Sequence, residues 1–234
     1  MALVDGSTHG DVVMATDASA KTKAGVFDVL TGRASLDEAL MPTSLRGLSV
    51  MFSLGAQLPE PAVLQGEHGE AWRALLQRVG HKFQVVVVDT PAGMLGSTQQ
   101  ILAGATHVLG VLQSEVLSQR AMGMFTYALE AVPAAQRPAV LGILINMVQV
   151  RQGTSLDVLK ELGESLPASW IFETTLPRHP AFLDATRVGL PLRLVDQQHP
   201  PSVAWLFDAL ASEVVERLGL VVADPARTAQ RLFS

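Results

Sequence analysis

The sequence has 234 residues, 48% of them hydrophobic and 17% charged, which suits one α/β domain with a filled core. A formal net charge of −5, four lysines (Lys21, Lys23, Lys82, Lys160) and no basic tail advertise no broad nonspecific DNA-binding surface, although a local arginine patch stays open. The absence of cysteine excludes disulfides and thiolate-held clusters. It fits the reducing cytoplasm, the location expected here, since no apolar run of about 18 residues occurs and Met1–Asp5 has neither the charged nor the apolar region of a signal peptide.

Ala2–Val4 reads as a short buried strand with Asp5 at its carboxyl end, followed by a loop, Gly6–Gly10. Val26, Phe27, Leu30, Leu36 and Leu40, interrupted by Gly32, predict two short helices. The second is opened by Ser35 with Glu38 three residues on, a capping box. Leu48–Leu54 is a strand candidate, and Gln57–Gly69, rich in Pro and Gly, a surface loop. Glu70–Val79 places Trp72, Leu75, Leu76 and Val79 on one helical face. Phe83–Val88 ends in four valines, the pattern of a strand buried on both faces of a parallel sheet.

Helices are then expected at Ser97–Gly104, Ser118–Val132 and Thr154–Leu166, between strands at His107–Leu112, Val140–Met147 and Trp170–Leu176. A short helix, Ala181–Gly189, and a long one, Pro201–Leu218, close the order. In the long helix Trp205, Leu206, Leu210 and Val214 form a stripe that is either core or a partner face. Strands alternating with helices imply right-handed crossovers and a doubly wound, mainly parallel α/β sheet with helices on both faces. One domain is expected over residues 1–220, with a tail at 221–234 whose Arg227, Arg231, Leu232 and Phe233 are too few for a membrane-binding helix.

The strongest local signal is Asp89-Thr90-Pro91-Ala92-Gly93 after the valine run. A carboxylate at the end of a buried strand sits on the rim where open α/β sheets bind ligands. There it either holds a hydrated Mg²⁺ or caps the next helix.

This segment resembles the Walker B segment of the ParA/MinD family, usually Asp-Thr-Pro-Pro-Gly. Its neighbours agree. Leu112-Gln113-Ser114-Glu115, with Ser118 and Arg120, resembles the family's Val-Gln-Pro-Glu turn and following helix. Leu141–Asn146 resembles its Leu-Gly-Ile-Leu strand, and Leu176-Pro177-Arg178, with Gly189-Leu190-Pro191, its Ile-Pro-Arg and Gly-Lys-Pro segments. Ala2–Asp5 is similar to its second strand and Phe27–Gly32 to its Tyr-Asp-Val-Leu segment, so the similarity covers about residues 1–218.

The resemblance implies a P-loop NTPase-like fold that binds ATP and Mg²⁺, dimerises and recruits protein partners in chromosome or plasmid partitioning or cellular positioning. It assigns Asp89 and Asp5 to the metal, and Asn146, Pro177 and Arg178 to the adenine side. The alternatives are a turn residue for Asn146 and a surface ion pair for Arg178.

Three departures qualify this. No Gly-Lys-Thr or Gly-Lys-Ser occurs, and the family's first strand and phosphate-binding loop have no counterpart; Lys21-Thr22-Lys23 lacks the glycines of a cradle. Ser7 stands where the family has a second aspartate, and serine accepts no proton near neutral pH. Of Pro-Gln-Gly-Asn only Gly10 is kept, in Thr8-His9-Gly10-Asp11, and a lone loop histidine such as His9 is usually only that.

The expectation is therefore a partition or positioning protein that starts after its P-loop, for instance through a late-assigned Met1. It is an ATPase by resemblance, inactive as it stands. The competing reading is a non-hydrolysing scaffold; a ligase lacks a substrate signature, and an iron protein lacks cysteines. Protein partners and a homodimer are expected, nonspecific DNA is not favoured, and Arg187 with Arg193 is the closest thing to a basic cluster.

Overall fold

Two parallel ladders carry the architecture. In the first, β1 (Ala2–Asp5) lies between β3 (Ser49–Met51) and β4 (Val86–Asp89), parallel to both, while β2 (Met41–Pro42) joins β3 antiparallel. In the second, β5 (His107–Gln113) pairs in parallel with β6 (Ala139–Asn146). The computed structural model describes residues 1–7, 10, 12, 23–53, 69–93, 96–115, 117–149 and 153–221. The expectations on Thr8, His9, Asp11, Lys21 and Thr22, and on the tail beyond Val221, lie outside them.

Nine helices are described: α1 (Val26–Leu30), α2 (Leu36–Ala39), α3 (Gly69–Gly80), α4 (Ser97–Gly104), α5 (Leu117–Ala131), α6 (Gly153–Ser165), α7 (Ala181–Val188), α8 (Leu192–Val195) and α9 (Trp205–Arg217). The α3 spacing works as read: Trp72, Leu75, Leu76 and Val79 are all buried. They join Phe27, Ile101, Ala2 and Val4 in the first core, where the Phe27 and Trp72 rings meet edge-on at 6.4 Å. Each such large side chain contributes about 1.5–3 kcal/mol by leaving water.

The second core sets Phe125, Leu129 and Leu162 against Ile143 and Ile145. Helix α4 ties the two together, giving Ile101 to the first core and Leu102 to the second. On the opposite face of the second ladder, Leu206, Leu210 and Val214 of α9 cover Leu144 and Phe172. Helices thus lie on both faces of mainly parallel strands, the doubly wound α/β class.

Local signals hold in detail. Ser35 Oγ accepts the Glu38 N–H at 3.3 Å and Glu38 Oε2 accepts the Ser35 N–H at 2.8 Å, so the capping box forms. Three expectations need correction. The valine run is not an inner strand: β4 pairs only with β1 among the described residues, and Val87 is 45% exposed. Trp170–Leu176 is not a strand; the backbone passes through a 3₁₀ turn at Ala168–Trp170 and touches the sheet in isolated bridges, Ile143 to Ile171 and Val148 to Pro177.

The long final helix is interrupted, since Ser202–Ala204 is 3₁₀ and the α-helix starts at Trp205. The stripe on α9 is core at Leu206, Leu210 and Val214, and only Trp205 faces solvent, at 56% exposure under the Arg193 guanidinium.

Candidate nucleotide site at the carboxyl rim

Parallel strands in register end together. Asp5 faces Asp89 across β1 and β4, and Gln113 faces Asn146 across β5 and β6. All four polar side chains therefore stand at carboxyl ends of parallel strands, where open α/β folds take ligands.

On the first ladder the chain leaves β1 through Gly6, whose N–H donates to the Asp89 carbonyl at 2.8 Å. A Cβ on Gly6 would lie 2.8 Å from that carbonyl and 2.8 Å from Ile101 Cδ1, so only glycine fits the approach. Asp89 is solvent-exposed at the strand end. Beyond it, the Thr98 hydroxyl at the start of α4 donates to the Pro91 carbonyl at 3.3 Å, bracing the turn.

Asp5 is different. It is fully buried, and its Oδ1 accepts the Ser7 N–H at 3.0 Å while Oδ2 accepts the Val12 N–H at 3.2 Å and the Ser53 hydroxyl at 3.0 Å. Burial pushes the Asp5 carboxyl above its ordinary value, and these donors offset only part of that. Ser53, two residues past β3, is not anticipated from sequence; a polar residue closing the run Leu48–Phe52 is its only signal.

On the second ladder, the Asn146 carbonyl accepts the Ser114 N–H at 3.0 Å and its side-chain Oδ1 accepts the Met147 N–H at 2.8 Å. Met147 is left-handed at φ +55°, the sole non-glycine with positive φ among the described residues. Such strained positions concentrate at functional turns. The backbone then runs back along its neighbour: Val148 N–H donates to Leu176 O at 3.0 Å and Arg178 N–H to Val148 O at 3.1 Å. This brings Asn146, Pro177 and Arg178 into one cluster, with the Arg178 guanidinium 3.7 Å from Glu115 and 3.8 Å from Met147 Sδ.

The sequence-assigned residues thus form two groups on different ladders, Asp5 with Asp89 and Asn146 with Pro177 and Arg178. Arg193 of the suggested basic cluster is paired with Asp208 and stacked over Trp205, while Arg187 is exposed.

Tested against a Mg²⁺-nucleotide, the residues fit at two points. Exposed Asp89 suits a hydrated Mg²⁺, which keeps most of its waters, and the Asn146 cluster presents an amide, a proline face and a guanidinium. Asp5 does not fit as it stands, because both its oxygens accept internal hydrogen bonds. Among the described residues no group of three or more His, Asp or Glu side chains is placed to hold a metal ion.

Parallel strands, helices on both faces and a polar carboxyl rim define the class: a doubly wound α/β fold with its ligand edge at the strand carboxyl ends. No protein-family model matches the chain. It is 25% identical over 198 residues to the chromosome partitioning protein ParA of Myxococcus xanthus, across 82% of this chain and 68% of that protein. Its fold matches the ATP complex of a McdA variant from Cyanothece at TM-score 0.76 and 12% identity, over 95% and 86% of the two chains. It also matches MinD in the MinC:MinD cell division complex of Aquifex aeolicus at 0.65 and 21%, over 97% and 86%. The chain is thus similar in sequence to ParA and in fold to McdA and MinD.

Proposed function

We propose that the chain works as a partition or positioning protein in the cytoplasm, acting through nucleotide-dependent dimerisation and recruitment of protein partners. The observation that supports this reading is the pair of carboxyl rims: Asp5/Asp89 end one ladder in register, and Gln113/Asn146 end the other beside Pro177 and Arg178. In it Asn146, Pro177 and Arg178 take the adenine side of ATP and Asp89 the hydrated Mg²⁺. Asp5 shapes the turn beneath and meets the ion only if Ser53 releases it. Bound Mg²⁺ would neutralise phosphate charge.

No step of hydrolysis is assigned to this chain, since the sequence holds no Gly-Lys-Thr or Gly-Lys-Ser cradle and Ser7 is no carboxylate. The same two facts favour a second reading, a non-hydrolysing protein-binding scaffold. Titration with a fluorescent ATP analogue in Mg²⁺ tests the first: Arg178→Ala should weaken binding several-fold, on the order of 1 kcal/mol for one charged contact, while Arg187→Ala should not. Equal affinity for both variants would contradict the assignment.

DNA is not the favoured partner. Mobility-shift titration with random duplex at about 0.1 M salt should show no sub-micromolar, steeply salt-dependent binding. Such binding, lost on Arg187→Ala with Arg193→Ala, would replace this reading with a DNA-surface protein.

A further inference from the structure

Helices α5 and α6 lie side by side over one face of β6 and leave a groove of about 570 Å³ between them. Its floor is Met122, Leu162 and Leu166; the first two are buried and Leu166 is half-buried. Gly123 and Thr126 form one exposed wall, and the carboxylates of Glu161 and Glu164 stand exposed along the other. An apolar floor beside two carboxylates complements a segment that carries apolar and cationic side chains together.

Gly123 points the same way. Glycine inside a helix costs stability relative to alanine, so a packing need is its usual reason. A Cβ at Gly123 would meet no heavy atom within 4 Å, so the described packing supplies no such need. A segment lying along the groove would supply it, since a side chain at 123 would stand in its path.

Sequence and reach name the occupant. Helix α9 ends at Arg217, the chain turns at Gly219 (φ +62°), and the described residues stop at Val221, which is 88% exposed. This exit is close to one end of the groove. Arg217 donates to the Ser169 carbonyl at 2.8 Å, and Ser169 is three residues past Leu166, a span of about 11 Å at most. Phe233, twelve residues beyond Val221, has a reach of about 40 Å. From residue 225 onward the sequence carries Arg227, Arg231, Leu232 and Phe233 and no acidic side chain.

We propose that the α5–α6 groove is the seat of the chain's own residues 226–234, with Leu232 and Phe233 on the apolar floor and Arg227 and Arg231 at Glu161 and Glu164. The proposal goes beyond the nucleotide reading and does not depend on it, since neither the groove nor this segment holds a rim residue.

The chain has no cysteine, so an introduced pair reports proximity directly. Thr126→Cys with Ser234→Cys is treated with a short bismaleimide. Ser212→Cys with Ser234→Cys, which places the partner on exposed α9 across the sheet, is the control. The 126–234 pair should close within one chain at least about tenfold faster than the control pair. About 0.5 M salt should reduce that preference. Glu161→Gln with Glu164→Gln, or Gly123→Leu, should abolish it. Equal closure of the two pairs, or a preference that survives these replacements, would overturn the proposal. So would crosslinks that join two chains, which would make the occupant a second copy.

The chain without cysteines gives a second readout. Trypsin should cut after Arg227 and Arg231 about tenfold more slowly in the natural chain than in Gly123→Leu, because cleavage follows the open fraction. Equal cleavage rates would contradict the docking.

Discussion

Single residues at the rim fix its shape, and Gly6 is the sharpest case. Because a β-carbon there meets the Asp89 carbonyl, a backbone atom that cannot swing aside, Gly6→Ala should cost about 1–3 kcal/mol, the range of an overpacked site. Thermal or denaturant unfolding of the variant checks this, and an unchanged midpoint would contradict it. Asp5 gives a pH signature. Its carboxyl is raised in the fold, so the folded state holds the proton more tightly than the unfolded chain. Its contribution is therefore fully present below the ordinary carboxylate value and is lost as pH rises through the folded value. The stability of the natural chain relative to Asp5→Asn should fall as pH rises above the ordinary carboxylate value and through the raised folded one; a difference that rises with pH would reverse the assignment. Asp5 and Asp89 were legible as strand-end carboxylates. That Asp5 is enclosed by Ser53 was not, because the two are 48 positions apart and meet only through β1–β3 pairing.

At the scale of elements, α9 is held by a side-chain clamp. Arg217 Nη1 donates to the carbonyls of Leu141 and Ser169 and Nη2 to that of Ile171, at 2.7–2.9 Å, while its guanidinium lies 4.0 Å from the Phe172 ring centroid. Burial pushes the Glu213 carboxyl up, but the N–H groups of Glu173 and Thr174, together with Arg217, outweigh it and hold Glu213 below the usual range. The pair thus satisfies the backbone of residues 169–174, which make only isolated contacts with β6. Arg217→Ala should cost about 2–4 kcal/mol by stranding several carbonyls, measurable as faster hydrogen exchange in α9 and residues 169–174. Exchange unchanged there would deny the clamp. Glu213 works in the opposite sense to Asp5: its contribution is present above the ordinary carboxylate value and lost as pH falls through its lowered one. The clamp also explains a misreading. The run Trp170–Leu176 has strand composition, but Arg217 and Glu213 take over hydrogen bonds that a ladder would make, and periodicity carries no trace of that.

For the molecule as a whole, the alternation of helix and strand was legible, because apolar spacing on α3, α5 and the parallel strands is set by local burial. The valine run misled for a physical reason: Val85–Val88 has the composition of an inner strand, yet the described chain supplies pairing and cover on one side of β4 only. The candidate site residues stood out as motifs in order, whereas their division between two ladders emerged only from strand pairing. The central proposal is that Asn146, Pro177, Arg178 and Asp89 are the adenine-side and metal-side residues of a nucleotide site, in a sequence with no Gly-Lys-Thr or Gly-Lys-Ser cradle. Titrating the purified 234-residue chain with Mg·ATP, while following phosphate release, tests it most directly. The account predicts binding no tighter than about 10⁻⁴ M, weakened by Arg178→Ala, with no turnover above background. Phosphate release at about 1 s⁻¹, an ordinary enzymatic rate, would contradict it.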